Sequence, residues 1–242
     1  MTSSAKTIAR GDFIRVDFTA RLVDDGSVVD TTKERVAQEA NVSSQGATFG
    51  PKVICVGEGQ WLSGLDKALV GKAVGSHKIR LSPEEAFGRK SPKLLQLIPK
   101  AAFMKQQVTP FPGMEVSIDN QFGVVRSVSG GRVLVDFNHP LAGREIEYEL
   151  EVHEIVSDAV ERAKAVLGWF GLQDAFVGAE GKTVRVLVQE EALKARLERV
   201  RPVLEDRLRR FTPFEEVGIA KERVGEKAKS TRKPVKAHEK KS

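Results

Sequence analysis

Side chains over 13–20 alternate: Ile14, Val16, Phe18 and Ala20 take one side, while Phe13, Arg15, Asp17 and Thr19 take the other. A period of two predicts a strand with one face on a core, and Asp25-Gly26 predicts the tight turn that returns the chain into Val28 and Val29. Residues 33–50 are polar and rich in small side chains, so an irregular connection is expected there. A short apolar run, Val53, Ile54, Cys55 and Val56, is closed by Gly57 and Gly59. The period then changes: Leu62, Leu65 and Leu69 recur at helical spacing over 61–70, with Gly71 placed to end the helix. Residues 77–81 are again strand-like. After a loop-like stretch with a short helix near 100–104, the segments MEVSID, GVVRSV and RVLVDF predict three brief strands. The longest alternation is REIEYELEVHEIV, where Ile146, Tyr148, Leu150 and Val152 oppose Glu147, Glu149, Glu151 and His153.

Past Val156 the pattern changes. Ser157 or Asp158 caps an expected helix reaching about Leu167, and GKTVRVLV reads as one strand. Leu193, Leu197, Val200, Leu204 and Leu208 then make one amphipathic stripe over 189–210, which Pro202 is expected to kink or restart. A domain boundary is placed near 155–157.

Composition narrows the class. The 242 residues are 40% hydrophobic and 30% charged, as in a globular protein with a true core. A single cysteine, Cys55, excludes an intramolecular disulfide and any CxxC site. No run is long and apolar enough for a membrane span, and the N-terminus lacks the apolar centre of a signal peptide, so a cytoplasmic location is expected. The net charge of +6 resides wholly in 221–242, with nine basic residues against three acidic ones; residues 1–220 carry thirty of each sign. That stretch has almost nothing to bury and predicts a disordered basic tail. Two roles stay open for it, a solubilising tail or a contact with nucleic acid or a ribosome; no membrane partner is expected.

Familiar catalytic constellations are missing from the pattern. His77, His139, His153 and His238 are scattered without HxH or HExxH spacing, so they read as structural or exposed and no metal is expected. There is neither a phosphate-cradling GxxxxGK[ST] nor a GxSxG elbow, and Gly57-Glu58-Gly59 lacks the third glycine of a dinucleotide loop. Cys55, inside an apolar strand, reads as core. No cofactor is implied. One reaction class needs none of these groups: rotation about an X-Pro bond, whose barrier of about 18–20 kcal/mol is the lost resonance of a planar amide. A dry apolar seat for the prolyl ring, with one or two suitably placed hydrogen bonds, favours the twisted form.

The segments VDFTARLVDDGSVVDTT, VGEGQWLSGLDKALVGKAVGSHKIRLSPEEAFG and IEYELEVHEI, in that order, resemble the FKBP family of peptidyl-prolyl isomerases over the first 154 residues. The stretch 89–137 with VDFNHPLAG resembles the insert-in-flap domain of its SlyD-like branch. The resemblance implies an α+β fold, an antiparallel half-barrel around one helix, with a small all-β insert and a C-terminal α+β extension. The implied layout is an isomerase domain over 1–88 and 138–156, an insert over 89–137, an extension over 157–218 and the tail over 219–242.

It also implies roles. Asp30 takes the pocket aspartate, Tyr148 a pocket aromatic, and Phe87 a position where tyrosine is usual; these three are the candidate catalytic residues. Phe18, again where tyrosine is common, joins Ile54, Trp61, Leu62, Leu65 and Leu141 as the candidate prolyl seat. The implied activity is prolyl isomerisation combined with chaperone binding of unfolded or nascent chains. Leu94, Leu97, Phe103, Met104, Phe111 and Met114, interleaved with Lys and Gln, are the expected chaperone surface. The alternative reading is a ribosome- or RNA-associated protein acting through the tail and the small β module. The sequence does not specify the oligomeric state, and the extension is the candidate dimerisation element.

Overall fold

The computed structural model describes residues 6–42 and 48–220. It divides into two compact units. The first comprises Val16–Lys52 and Val56–Glu154 together with the N-terminal residues up to Arg10. Gly11–Arg15, Val53–Cys55 and the chain from Ile155 onward make the second.

The expected alternation becomes strand β1 (Phe13–Leu22), and the Asp25-Gly26 turn leads into β2 (Val28–Thr31). Gly26 has φ +69°, as this turn requires. Within the stretch read as irregular there is a short helix α1 (Glu34–Glu39). Its polar pattern concealed it: the turn is held by an Arg35–Glu39 ion pair of 2.8 Å and a Gln38-to-Glu34 bond of 3.2 Å, with Ala37 alone buried. Strand β3 (Lys52–Cys55), helix α2 (Ser63–Leu69) and β4 (Gly75–Leu81) follow where the periods place them. Strand β9 (Ile146–Ile155) closes the sheet, whose order is β2-β1-β9-β4 with β3 pairing β1.

Between β4 and β9 lies the insert, a four-stranded antiparallel sheet in the order β5-β8-β7-β6. It is built from β5 (Leu95–Pro99), helix α3 (Lys100–Lys105), β6 (Glu115–Ile118), β7 (Gln121–Ser129) and β8 (Arg132–Asp136). The three later strands match the expected segments. Strand β5 falls in the stretch read as loop, because LQLIP is bounded by prolines at Pro92 and Pro99 and is too short to display a period.

In the second unit, Asp158 caps α4 (Ala159–Gly168) by accepting the Glu161 amide at 2.7 Å. Strands β10 (Phe176–Glu180) and β11 (Thr183–Leu187) pair antiparallel, helix α5 (Glu191–Phe211) returns the chain, and β12 (Glu216–Ala220) pairs parallel with β11. Three strands stand where one was expected. Helix α5 runs unbroken through Pro202. Ile219 and Ala220, placed by the sequence in the tail, belong to β12; the rest of the expected tail, 221–242, lies outside the described residues. The Val217 amide donates to Glu205 at 3.2 Å and its carbonyl accepts from Arg201 at 2.8 Å, so side chains of α5 occupy backbone groups of this edge strand. Phe13 stacks on Trp169 in the core and Phe211 meets both edge-on, with centroids 5.6–6.3 Å apart. Cys55 is buried in the same core, in line with its reading as a packing residue.

Helix α2 is pressed against the loop after β4. The Gly64 amide donates to the Glu85 carbonyl at 3.2 Å, and a Cβ on Gly64 would lie 2.7 Å from Leu81 Cδ2 and 3.0 Å from that same carbonyl. Gly64→Ala is therefore expected to cost roughly 1–3 kcal/mol by overpacking. A thermal-melting curve should show the midpoint several degrees lower, and an unchanged midpoint would contradict the packing.

Candidate active site

Three aromatic side chains from three elements meet in the first unit. Phe18 comes from β1, Trp61 from the residues leading into α2, and Tyr148 from β9. The Phe18 ring meets Trp61 edge-on at 5.5 Å and Tyr148 at 5.9 Å with a 46° tilt, geometries favoured by ring quadrupoles. Phe18 and Tyr148 are buried and Trp61 is half-buried. Alternation delivers the first and third rings. Trp61 depends on the Gly57–Gly59 loop, whose amides donate to the buried Asp66 carboxylate at 2.9 and 3.2 Å. Gly57 and Gly59 sit at φ +86° and +68°, so this path requires glycine at both positions. The two glycines that fail as a nucleotide loop thus serve as a scaffold for Trp61.

Asp30 stands opposite Ala20 in the β1–β2 ladder. The residue is exposed as a whole, yet partial desolvation holds its carboxyl above the ordinary carboxylate range, against the lowering influence of a Thr31 backbone hydrogen bond and the charge of Lys52. Tyr148 senses it: burial first, and the Asp30 charge second, push the phenol up to about 12. The hydroxyl is therefore a neutral group at any physiological pH. Acid and phenol share one electrostatic environment.

Phe87 makes a separate pair, stacking on His139 with centroids 4.2 Å apart and planes 3° from parallel. His139 Nδ1 accepts the Leu141 amide at 3.1 Å, and Gly143 donates to the Gly88 carbonyl at 2.8 Å, so the Phe87 and Leu141 loops are tied together. His139 was missed as a site neighbour; its position two residues before Leu141 is the one signal the sequence carries. Leu65 is fully buried in α2, and Leu62 and Leu141 are half-buried. Ile54 is buried on the part of β3 that belongs to the second unit.

In the insert, register separates two faces. Ile98, Val125, Val133 and Val135 share the inner face with Phe103, and Met114 packs against the same core. Phe103 and Met114 are thereby removed from the expected surface: residues so close to this small sheet supply its core. Leu94, Leu97, Met104 and Phe111 are exposed. The opposite face of the sheet carries Leu95, Leu97, Leu134, Val124 and Phe122, with Leu97 60% and Phe122 82% exposed. Leu95 belongs to the apolar set that the sequence places here, whereas Phe122 was not foreseen and only the strand register reveals it. Among the described residues, no group of three His, Cys, Asp or Glu side chains is arranged to hold a metal ion.

Comparison with known proteins locates these features. The profile of FKBP-type peptidyl-prolyl cis-trans isomerases matches residues 4–108, and that of "FKBP26, IF domain" matches residues 96–141. The chain is 32% identical over 149 residues to the short-type peptidyl-prolyl cis-trans isomerase of Methanocaldococcus jannaschii, covering 61% of this chain and 94% of that protein. It is 30% identical over 158 residues to the FKBP-type 16 kDa isomerase of Escherichia coli, covering 62% and 95%. With SlyD of Haemophilus influenzae it shares 37% over 101 residues, 40% of this chain and 53% of that one.

The raised pKa of Asp30 has a signed consequence. A carboxyl that binds its proton more readily folded than unfolded lowers stability once pH rises above the unfolded value of 3.8, and the deficit is complete at neutral pH. Asp30→Asn should therefore raise the melting midpoint at pH 7, with the gain disappearing below the unfolded value, while prolyl-peptide turnover falls. A lower midpoint at pH 7 would show that the charge is well solvated.

Proposed function

The chain belongs to the family of FKBP-type peptidyl-prolyl cis-trans isomerases, and on that footing we propose that Phe18, Trp61 and Tyr148 seat the prolyl ring of an X-Pro bond while the insert holds the unfolded chain that carries it. The observation behind the first half is the meeting of three rings from β1, the α2 approach and β9 beside one desolvated carboxyl. Rotation about the bond transfers no proton and forms no covalent intermediate, so an apolar wall and a fixed dipole suffice. The rings replace water around the amide and disfavour its planar, strongly dipolar form relative to the twisted one. Asp30 supplies negative charge near the amide, and the neutral Tyr148 hydroxyl supplies a hydrogen-bond donor for a substrate carbonyl. Phe87 and Leu141 close the seat from the loops tied through His139.

The second half rests on the outer face of the insert sheet. Its register gathers Leu95, Leu97, Leu134, Val124 and Phe122 on one side together with Glu115, Ser117 and Asp136, a mixed surface with exposed apolar side chains suited to many unfolded sequences. Captured chains then sample the isomerase site at high local concentration. The clients are unfolded or nascent polypeptides bearing X-Pro bonds, and a cytoplasmic location fits such clients.

A second reading follows from α5. Arg196, Arg199, Arg207 and Arg210 fall within roughly 80° around the helix axis at 3.6 residues per turn. Glu191, Glu198 and Glu205 lie on the other flank, within 4 Å of Lys194, Arg201 and Arg209 respectively. This segregation, with Asp206 at the border of the stripe, gives a net-neutral domain a phosphate-complementary side, and the sequence of 221–242 carries nine further basic residues. RNA is the partner this reading assigns. The small β module is not part of it, since its outer sheet face carries Glu115 and Asp136 and presents no basic stripe.

Two measurements test these readings. Trp61→Ala and Tyr148→Ala should each lower kcat/KM on a short prolyl peptide by about tenfold or more, whereas Leu97→Ser with Phe122→Ser should leave that rate intact and slow catalysed refolding of a proline-limited protein. Equal losses in both assays would reject a separate chaperone face. For RNA, changing the four stripe arginines to Gln should flatten the log–log salt dependence by about 3; an unchanged slope would leave α5 without a role.

A further inference from the structure

The β1–β2 ladder ends at the Thr19–Thr31 pair, one residue before the central ring of the site. Phe18 is nevertheless fixed on both backbone groups by a single residue, Thr32. The Thr32 amide donates to the Phe18 carbonyl at 3.0 Å, and the Phe18 amide donates to Thr32 Oγ1 at 2.9 Å. A side-chain hydroxyl thus stands where a ladder carbonyl would be. Thr32 is 2% exposed, so neither group has water as an alternative partner.

The hydroxyl can accept from Phe18 only if its own proton is directed elsewhere. Asp17 Oδ1 takes that proton at 2.6 Å, much closer than the Phe18 carbonyl at 3.4 Å. The other oxygen of Asp17 meets His153 Nε2 at 2.9 Å, across from β1 to β9. Burial alone would raise the pKa of Asp17, but hydrogen bonds from Thr32 and His153, with the charges of His153 and Lys33, hold it below the usual range. It is a carboxylate, and an acceptor only.

We propose that Thr32 is a positioning residue of the isomerase site: its hydroxyl, oriented by Asp17 with His153 behind it, sets the Phe18 backbone so that the ring meets Trp61 and Tyr148. The inference rests on Phe18 belonging to the prolyl seat. It adds a polar chain, His153 to Asp17 to Thr32 to Phe18, that connects β9, β1 and the end of β2 beneath the three rings. Asp30 lies two residues before Thr32, so the same tie anchors the segment carrying the acid. Thr31 reinforces it, donating from Oγ1 to the Phe18 carbonyl at 3.0 Å and accepting the Lys33 amide at 3.1 Å.

Substitution can separate the hydroxyl from the shape of the side chain. Thr32→Val keeps the branched volume and strands the Phe18 amide; Thr32→Ser keeps the oxygen and loses a methyl. Kinetics on a short prolyl peptide, by exchange spectroscopy below the melting midpoint of each variant, should show kcat/KM of Thr32→Val down by about tenfold, chiefly through KM, with Thr32→Ser within about twofold of the parent. Amide exchange at Phe18 should lose protection in Thr32→Val and in Asp17→Ala, and keep it in Thr32→Ser. The proposal is overturned if Thr32→Val matches the parent in rate, or if Thr32→Ser loses as much as Thr32→Val, since packing alone would then explain both. Trp61→Ala, measured alongside, separates the two possible failures. If it too is as active as the parent, the prolyl seat itself is misplaced; if it is impaired while Thr32→Val is not, only the role of Thr32 falls.

Discussion

The two-residue period of β9 is the constraint on which the rest of the first unit depends. Ile146, Tyr148, Leu150 and Val152 are buried, while Glu149, Glu151 and His153 are exposed on the other side. A slip of one residue would drive a row of carboxylates into the core and turn Tyr148 out to water, so the register is strongly specified. Both faces are used. Inward, Tyr148 completes the ring cluster; outward, Glu147 takes Lys78 at 2.8 Å from β4, and His153 reaches Asp17 on β1. One strand thereby sets the apolar wall of the site and the polar chain behind it.

What could be read from the sequence follows the same logic. Long alternations such as β1 and β9 were legible because a half-buried strand has no other way to pattern itself, and α2 was legible from Leu62, Leu65, Leu69 and a terminal glycine. Elements that escaped are those whose stability comes from outside themselves. Helix α1 is held by a surface ion pair and a side-chain hydrogen bond, β5 is a five-residue edge strand ending at Pro99, and β10 and β12 are sheet edges. The site behaved likewise. Phe18 and Tyr148 were visible in the alternation together with the family resemblance, whereas the Phe87–His139 stack joins residues 52 apart and is hinted at only by the nearness of His139 to Leu141. Phe103 looked like surface because α3 is too short to declare which side it buries, and Met114 because it lies outside any helix or strand.

The insert is coupled to the isomerase body through a compact polar joint. Asp136 is 5% exposed and accepts Arg126 Nη2 at 2.9 Å, the Asn138 amide at 2.9 Å and its side chain at 2.7 Å. Burial would raise the pKa of this carboxyl, but those donors outweigh it and keep it charged. Asn138 in turn exchanges two bonds with the Ser91 backbone, 2.7 and 3.1 Å, so the entering and leaving chains are clasped side by side. His139, stacked on Phe87, is the next residue. The chain that leaves the insert sheet therefore reaches the Phe87–His139 stack within a few residues.

The resemblance puts phenylalanine at Phe18 and Phe87 where tyrosine is common, and the chemistry proposed for the site does not depend on those two hydroxyls. No proton moves along the reaction coordinate, so a hydroxyl contributes at most one oriented dipole, while the rings supply the dry contact that favours the twisted amide. The single tyrosine left in the chain, Tyr148, sits where its phenol is most strongly held neutral, beside Asp30. A phenylalanine ring has no hydroxyl to anchor it, so its placement comes from the backbone. At Phe18 that function falls to Thr32: a site with fewer polar groups in its wall relies more on the polar groups behind it.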